Sequence, residues 1–194
     1  MGYDLIVVAR RGDRLQELAQ KVEVDVQIVV ADLTIEDDVS QLEAIIQSHE
    51  DIAVIVNNAG FGRVGFFDSL PLTTAMKMID LHLKATLRLV YAVIPQMKSA
   101  QQGAIINVSS IGGFIPMATS ATYNATKAFL NSFSISLASE LAEDGITVQS
   151  LCPGFTRTEI WDAAGFEKTP TVPPIAWMSS DEVVIASLSA LRSK

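Results

Sequence analysis

Five short apolar runs, separated by longer segments of helical periodicity, most constrain what this chain can fold into. Residues 5–9, 26–30, 52–56, 104–108 and 147–151 are each nearly continuous in hydrophobicity, as parallel strands covered on both faces are. Between them apolar residues recur with a 3.6-residue period near 14–22, 35–48, 72–99 and 122–143, and a last helix is expected over 180–191. Asp13 before Gln16, Thr34 before Asp37 and Ser179 before Glu182 have the spacing of capping boxes at helix starts. Strand alternating with helix predicts an α/β fold: a doubly wound, Rossmann-like parallel sheet with right-handed crossovers. No repeat, linker or low-complexity tract divides the 194 residues, so 1–194 is read as a single domain. Residues 159–178, with Pro170, Pro173 and Pro174, are expected to form a loop over a site.

Composition excludes several classes of function. A net charge of −8 argues against a nucleic-acid surface or an anionic membrane as partner. Cys152 is the only cysteine, which rules out an internal disulfide framework and a cysteine-based metal site; no metal site is expected. No apolar run approaches the roughly 18 residues that span a bilayer. The expectation is a cytoplasmic protein that acts on a small molecule.

Ligands of open α/β sheets bind beyond the carboxyl ends of the strands. The residues there are Arg10 and Arg11, Asp32 and Leu33, Asn57 to Gly60, Ser109 and Ser110, and Pro153 and Gly154. Arginine forks suit phosphate oxygens, although a solvated pair at a helix start has the same sequence. Asn57-Asn58-Ala59-Gly60 allows close approach of a flat ligand or forms a simple turn. Tyr123 and Lys127 stand four apart on one helix face, where an ammonium would favour the phenolate and lower the tyrosine pKa. By itself this spacing is common.

Taken in order, Arg10-Arg11, Asp32-Leu33, Asn57-Asn58-Ala59-Gly60, Val108-Ser109-Ser110, the Y-x-x-x-K of Tyr123 and Lys127, and Cys152-Pro153-Gly154-Phe155-Thr156-Arg157-Thr158 resemble the short-chain dehydrogenase/reductase family. The resemblance spans nearly the whole chain. It implies hydride transfer between a nicotinamide and a carbonyl or alcohol carbon. Tyr123 would be the acid/base, Ser110 would hydrogen-bond the substrate oxygen, and Lys127 would hold the nicotinamide ribose and lower the tyrosine pKa. Asp32 and Leu33 would meet the adenine, and Asn58, Ala59 and Gly60 the adenosine half. Pro153, Gly154, Thr156 and Thr158 would border the nicotinamide. Arg10 and Arg11 match the basic residues of NADP-preferring members, so NADP is expected over NAD. A homodimer or homotetramer is a further implication.

Two features depart from the family pattern. His82 stands where members usually carry an asparagine that supports a water-linked proton relay, a role that imidazole can also fill. The family's first strand, glycine-rich turn and first helix, roughly 30 residues, have no counterpart before Arg10, and a final strand is expected to be missing too. Such a chain would lack the pyrophosphate cradle and leave strand edges unpaired in mid-sheet. The alternative function is therefore a non-catalytic shortened relative without cofactor binding. An epimerase or dehydratase sharing Y-x-x-x-K fits less well. Phe114, Ile115, Met117, Phe155, Ile160, Trp161, Phe166 and Trp177 could line an apolar substrate pocket or simply pack.

Overall fold

A computed structural model describes residues 2–163 and 173–192. The chain runs β1 (Leu5–Ala9), α1 (Gly12–Ala19), β2 (Val26–Val30), α2 (Glu36–Ser48) and β3 (Val54–Asn57). It continues through α3 (Leu72–Ile79), a π-helical segment (Asp80–Ala85), α4 (Thr86–Ala100), β4 (Gly103–Val108), α5 (Ala121–Glu140) and β5 (Ile146–Leu151). β6 (Phe155–Thr156), α6 (Ile160–Ala163), β7 (Trp177–Met178) and α7 (Ser180–Arg192) follow. The fold is α/β and its strands pair in parallel, as the alternation predicts.

β1 pairs with β2, while β3, β4 and β5 form a separate sheet in that order. Among the described residues β1 and β3 have no ladder partner on their other sides, and a cleft of about 1920 Å³ opens between them. This is the unpaired mid-sheet edge expected from the sequence. Such edges are costly, because a strand's free N–H and C=O groups need partners. Leu5, Ile6, Val8 and Ala9 of β1 and Val54, Ile55, Val56 and Asn57 of β3 line the cleft.

The core lies beneath the larger sheet. Val39, Leu42 and Ile46 of α2 interdigitate with Leu89, Val93 and Met97 of α4, against Ile105 of β4 and Val148 of β5. This packing holds α4 and α5 against β4, and so fixes the strand end that carries Ser109 and Ser110. A polar ladder adds register at the same place. Asn57 Nδ2 donates to Asn107 Oδ1 at 2.8 Å, Asn107 Nδ2 donates to Ser134 Oγ at 2.9 Å, and Ser134 Oγ donates to the Leu130 carbonyl at 2.7 Å. A buried amide so satisfied rigidifies its surroundings, whereas one left unsatisfied would be expensive.

Local chemistry shifts several boundaries. β3 starts two residues later than expected because the Ile52 N–H goes to the Gln96 side chain at 3.1 Å. Of the three capping boxes only Ser179–Glu182 forms, with Glu182 Oε2 accepting from both the Ser179 N–H and its hydroxyl. Thr34 is captured instead by Asp32 Oδ1, which accepts from its N–H and hydroxyl, and α2 begins after Ile35. Asp13 falls inside α1, whose N-cap is Arg11.

Candidate active site

Ser110 stands two residues beyond the end of β4 and caps a short 3₁₀ turn, its Oγ accepting from the Gly112 N–H at 3.0 Å. Pro153 is drawn to the same point, since its carbonyl accepts from the Ile111 N–H at 3.1 Å. Helix α5 brings Tyr123 and Lys127 alongside. Its placement is fixed by the Ser109 hydroxyl, which donates to the Lys127 carbonyl at 2.8 Å. Gly113 makes the close approach possible: a Cβ there would lie 2.8 Å from the Lys127 carbonyl carbon and oxygen.

Lys127 is 5 % exposed. Its Nζ donates to the Val108 carbonyl at 2.7 Å and lies 5.8 Å from the centroid of the Tyr123 ring. Burial lowers its pKa to about 8, with Cys152 acting weakly the other way. Burial also raises the Tyr123 phenol above its ordinary value, and the nearby Ser110 hydroxyl offsets part of that rise. This corrects one expectation from the sequence. In this structure Lys127 does not bring the tyrosine down, because desolvation of the phenolate outweighs a cation that is itself engaged by Val108. The result is a neutral phenol near a serine hydroxyl and beside a lysine. Such a group can deliver a proton to an oxygen placed between Ser110 and Tyr123.

His82 occupies the π-helical segment and is 1 % exposed. Its Nε2 lies 3.1 Å from the Phe61 N–H and its Nδ1 2.9 Å from Thr126 Oγ1. Its ring meets Tyr123 edge-on, with centroids 6.1 Å apart. Burial, aided by Lys127, depresses its pKa to about 3. His49, by contrast, is a surface residue near Gln27 and Asp51.

Arg10, Arg11, Asp32, Leu33, Asn58, Ala59 and Gly60 all border the cleft between β1 and β3. The structure therefore brings together the residues expected at the adenosine end of a dinucleotide. Ser110, Tyr123, Lys127 and Pro153 lie outside that lining; His82 links Tyr123 to it, its Nε2 accepting from the N–H of Phe61 at the cleft and its ring meeting Tyr123. Arg10 faces Asp32 at 3.8 Å, and Arg11 and Arg14 both pair with Glu159, at 3.2 and 2.9 Å. Burial pushes the Asp32 carboxyl up, but the bonds from Thr34 and the nearby Arg10 leave it lowered on balance. Thr156 Oγ1 donates to the Gly154 carbonyl at 3.2 Å, and Thr158 Oγ1 accepts from the Ile160 N–H at 3.4 Å. The donor set suits the two ends of a dinucleotide: exposed guanidinium forks for a phosphate, and Tyr123 with Lys127 for a ribose. Among the described residues the loop that leads from β3 toward α3 carries Gly60, Gly62 and Gly65, and Gly60 borders the cleft. No group of three or more metal-ligating side chains occurs among the described residues.

Of the apolar pocket candidates, Phe155, Trp161 and Trp177 pack on one another with centroids 5.6–5.7 Å apart. Phe114, Ile115 and Met117 are exposed beside the serine turn, and Phe166, like Pro170, falls outside the described residues. Sequence reasoning missed Asn107, Thr126, Asn131, Ser134 and Glu159. The available signal for Asn107 was an amide inside the apolar run 104–108. For Thr126 it was a hydroxyl between Tyr123 and Lys127.

A parallel α/β fold with Ser110 just beyond β4 and with Tyr123 and Lys127 alongside on α5 is the arrangement expected of a nucleotide-dependent oxidoreductase. The comparisons agree. The profile described as short chain dehydrogenase matches residues 1–168. An uncharacterised oxidoreductase of Staphylococcus epidermidis is 33% identical over 166 residues, covering 85% of this chain and 72% of its own. A short-chain dehydrogenase from Sphingobium yanoikuyae, solved in complex with NADPH, superposes with a TM-score of 0.91 at 36% identity, over 99% of this chain and 76% of its own. The bulky-bulky ketone specific alcohol dehydrogenase from Comamonas testosteroni gives 0.85 at 31% identity, over 99% and 74%. The chain belongs to the short-chain dehydrogenase/reductase family and is an enzyme of the oxidoreductase class.

Proposed function

We propose that this protein is an NADP-dependent reductase of small carbonyl compounds, reversible toward the alcohol, with Tyr123 as the proton donor. The observation that carries the reading is the position of Lys127 Nζ, 5.8 Å from the centroid of a half-buried Tyr123 ring whose phenol burial keeps neutral. When bound, the nicotinamide supplies a hydride to the carbonyl carbon. Tyr123 then gives its phenolic proton to the carbonyl oxygen, which becomes the alcohol hydroxyl, and Ser110 holds that oxygen by hydrogen bonding. The Lys127 ammonium, charged below about pH 8, stabilises the phenolate left behind. Arg10 and Arg11 support the choice of NADP, and relatives solved with NADPH and NADP favour it further. Asp32, Leu33, Asn58, Ala59 and Gly60 would take the adenosine half, and Pro153, Gly154, Thr156 and Thr158 the nicotinamide side.

A cytoplasmic homodimer or homotetramer completes the reading. No described helix is long and apolar enough to cross a membrane. Leu87 and Tyr91 on α4, and Phe129 and Ile135 on α5, leave apolar surface exposed for self-association. The alternative is a non-catalytic relative without cofactor binding. Titration with NADPH, followed by nicotinamide fluorescence, separates the two. Saturable binding supports the enzyme, and its absence refutes cofactor use by this chain. Tyr123→Phe should then abolish carbonyl reduction while leaving NADPH binding within about threefold, since the phenol mainly serves the transferred proton. Retained turnover would exclude Tyr123 as donor.

A further inference from the structure

We infer that His82 is a positioning residue: an imidazole held in one tautomer that clamps the loop after β3 to the first turns of α5 and so sets where Tyr123 stands. The inference rests on the reading of Tyr123 as proton donor and assigns His82 a role other than proton relay.

The hydrogen-bond partners fix the tautomer. The Phe61 N–H is a donor only, so Nε2 must accept, and the ring proton sits on Nδ1. Nδ1–H then donates to Thr126 Oγ1, and that hydroxyl donates onward to the Tyr123 carbonyl at 2.8 Å. Every proton in the chain Phe61, His82, Thr126, Tyr123 has one place, and neither ring nitrogen is left for water. The ring edge also abuts the Tyr123 side chain, while its other flank meets Phe61 at a centroid distance of 6.0 Å. Gly60 completes the fit, because a Cβ there would come within 3.0 Å of His82 Nε2. The titratable groups facing the ring, Tyr123 and Lys127, both lie on α5. The depressed imidazole pKa agrees with a group that keeps one charge state at working pH.

The widened π-helical turn at Asp80–Ala85 carries the residue. Such turns place side chains where a regular helix would not. The clamp joins the elements that hold the two sides of the site: Asn58 to Gly60 on the cleft, and Tyr123 with Lys127 on the catalytic helix.

The test begins on the cofactor-free chain. ¹⁵N spectra of histidine-labelled protein should show His82 as the neutral Nδ1–H tautomer from about pH 8 to about pH 5; a titration midpoint inside that range overturns the clamp. Amide exchange at Phe61 should quicken about tenfold in His82→Ala, the loss of one hydrogen bond, and recover in His82→Gln, whose Oε1 reaches the same N–H. Unchanged exchange in His82→Ala overturns it as well. In turnover, Thr126→Val and His82→Gln should each lower kcat about tenfold with the KM for NADPH little changed and the pH profile unmoved. Loss of one limb of that profile in His82→Gln would establish a relay instead. No turnover by the wild-type chain counts against the proposed function alone, and the spectra and exchange rates still decide the clamp.

Discussion

Replacing Lys127 with methionine should change how stability depends on pH, by an amount that follows from the burial of its ammonium. The folded-state pKa of about 8 lies below the ordinary lysine value of 10.5. In the window between them the unfolded chain binds a proton that the folded chain does not. Stability of the wild type therefore rises with pH across that window, and is lost as pH falls back through it. Below the window both states are protonated and the cost of burying the charge is present in full. At about 1.36 kcal/mol per pKa unit the whole penalty is about 3 kcal/mol, of which about 2 kcal/mol is relieved between about pH 7 and about pH 9.5. Lys127 is almost completely buried, so solvent screening takes little from this figure. Tyr123 acts in the opposite direction only above its own ordinary range, since its folded pKa is raised. Measurements should therefore stop near pH 9.5.

Lys127→Met keeps the unbranched stem but removes both the titration and the bond to the Val108 carbonyl. Urea unfolding followed by far-ultraviolet circular dichroism gives the free energy at each pH. The difference between wild type and Lys127→Met should climb by about 2 kcal/mol over the window, whatever its offset at neutrality. Parallel curves would show that Lys127 does not carry a depressed pKa. The picture of a desolvated ammonium held by Val108 would then fall with it.

Three further outcomes follow from the same geometry. His82, depressed from 6.5 to about 3 by burial, binds a proton in the unfolded state before the folded one as pH drops. The wild type should thus lose about 2 kcal/mol between about pH 6.5 and about pH 4.5 that His82→Gln keeps, which urea titrations at the two pH values would measure. Gly113→Ala forces a Cβ to 2.6 Å from Asn131 Nδ2 and 2.8 Å from the Lys127 backbone, whereas Gly154→Ala meets only Ile111 Cδ1 at 4.0 Å. The first should cost about 1–3 kcal/mol by thermal or urea unfolding and the second little, and equal losses would refute the close packing of the serine turn on α5. Alanine at both Arg10 and Arg11 should weaken NADPH binding about tenfold while leaving NADH nearly unchanged, read by fluorescence titration.

Much of the fold was legible because strands covered by helices are nearly continuous in hydrophobicity, which separates 26–30 and 104–108 from their neighbours although Gln27 and Val30 are exposed and Asn107 is polar. The helix over 72–99 was legible as a length but not as a shape. A 3.6-residue period cannot announce the widened turn at Asp80–Ala85, which is tied to a histidine buried between Phe61 and Thr126. The capping pattern at Thr34 was real but outcompeted, since the Asp32 carboxylate two residues earlier reaches the same N–H and hydroxyl. Spacing alone put Tyr123 and Lys127 on one helix face, yet spacing carries no dielectric. The direction of their pKa shifts required knowing that both are desolvated.

The deeper reason lies in the helix itself. Asn124, Thr126, Lys127, Asn131 and Ser134 are all buried, so α5 is enclosed around much of its circumference while presenting polar side chains to its neighbours. A sequence reader places such residues on a solvated face, because polar side chains are seldom fully buried without partners. Here most have partners, contributed by strand ends and turns far away in sequence: Asn107 for Ser134, Ser150 for Asn131 and His82 for Thr126. The catalytic residue types are legible one at a time, but the polar contacts that aim them are pairwise and long-range. A polar residue inside an apolar run, as at Asn107, or wedged between two motif residues, as at Thr126, marks where such contacts are to be sought.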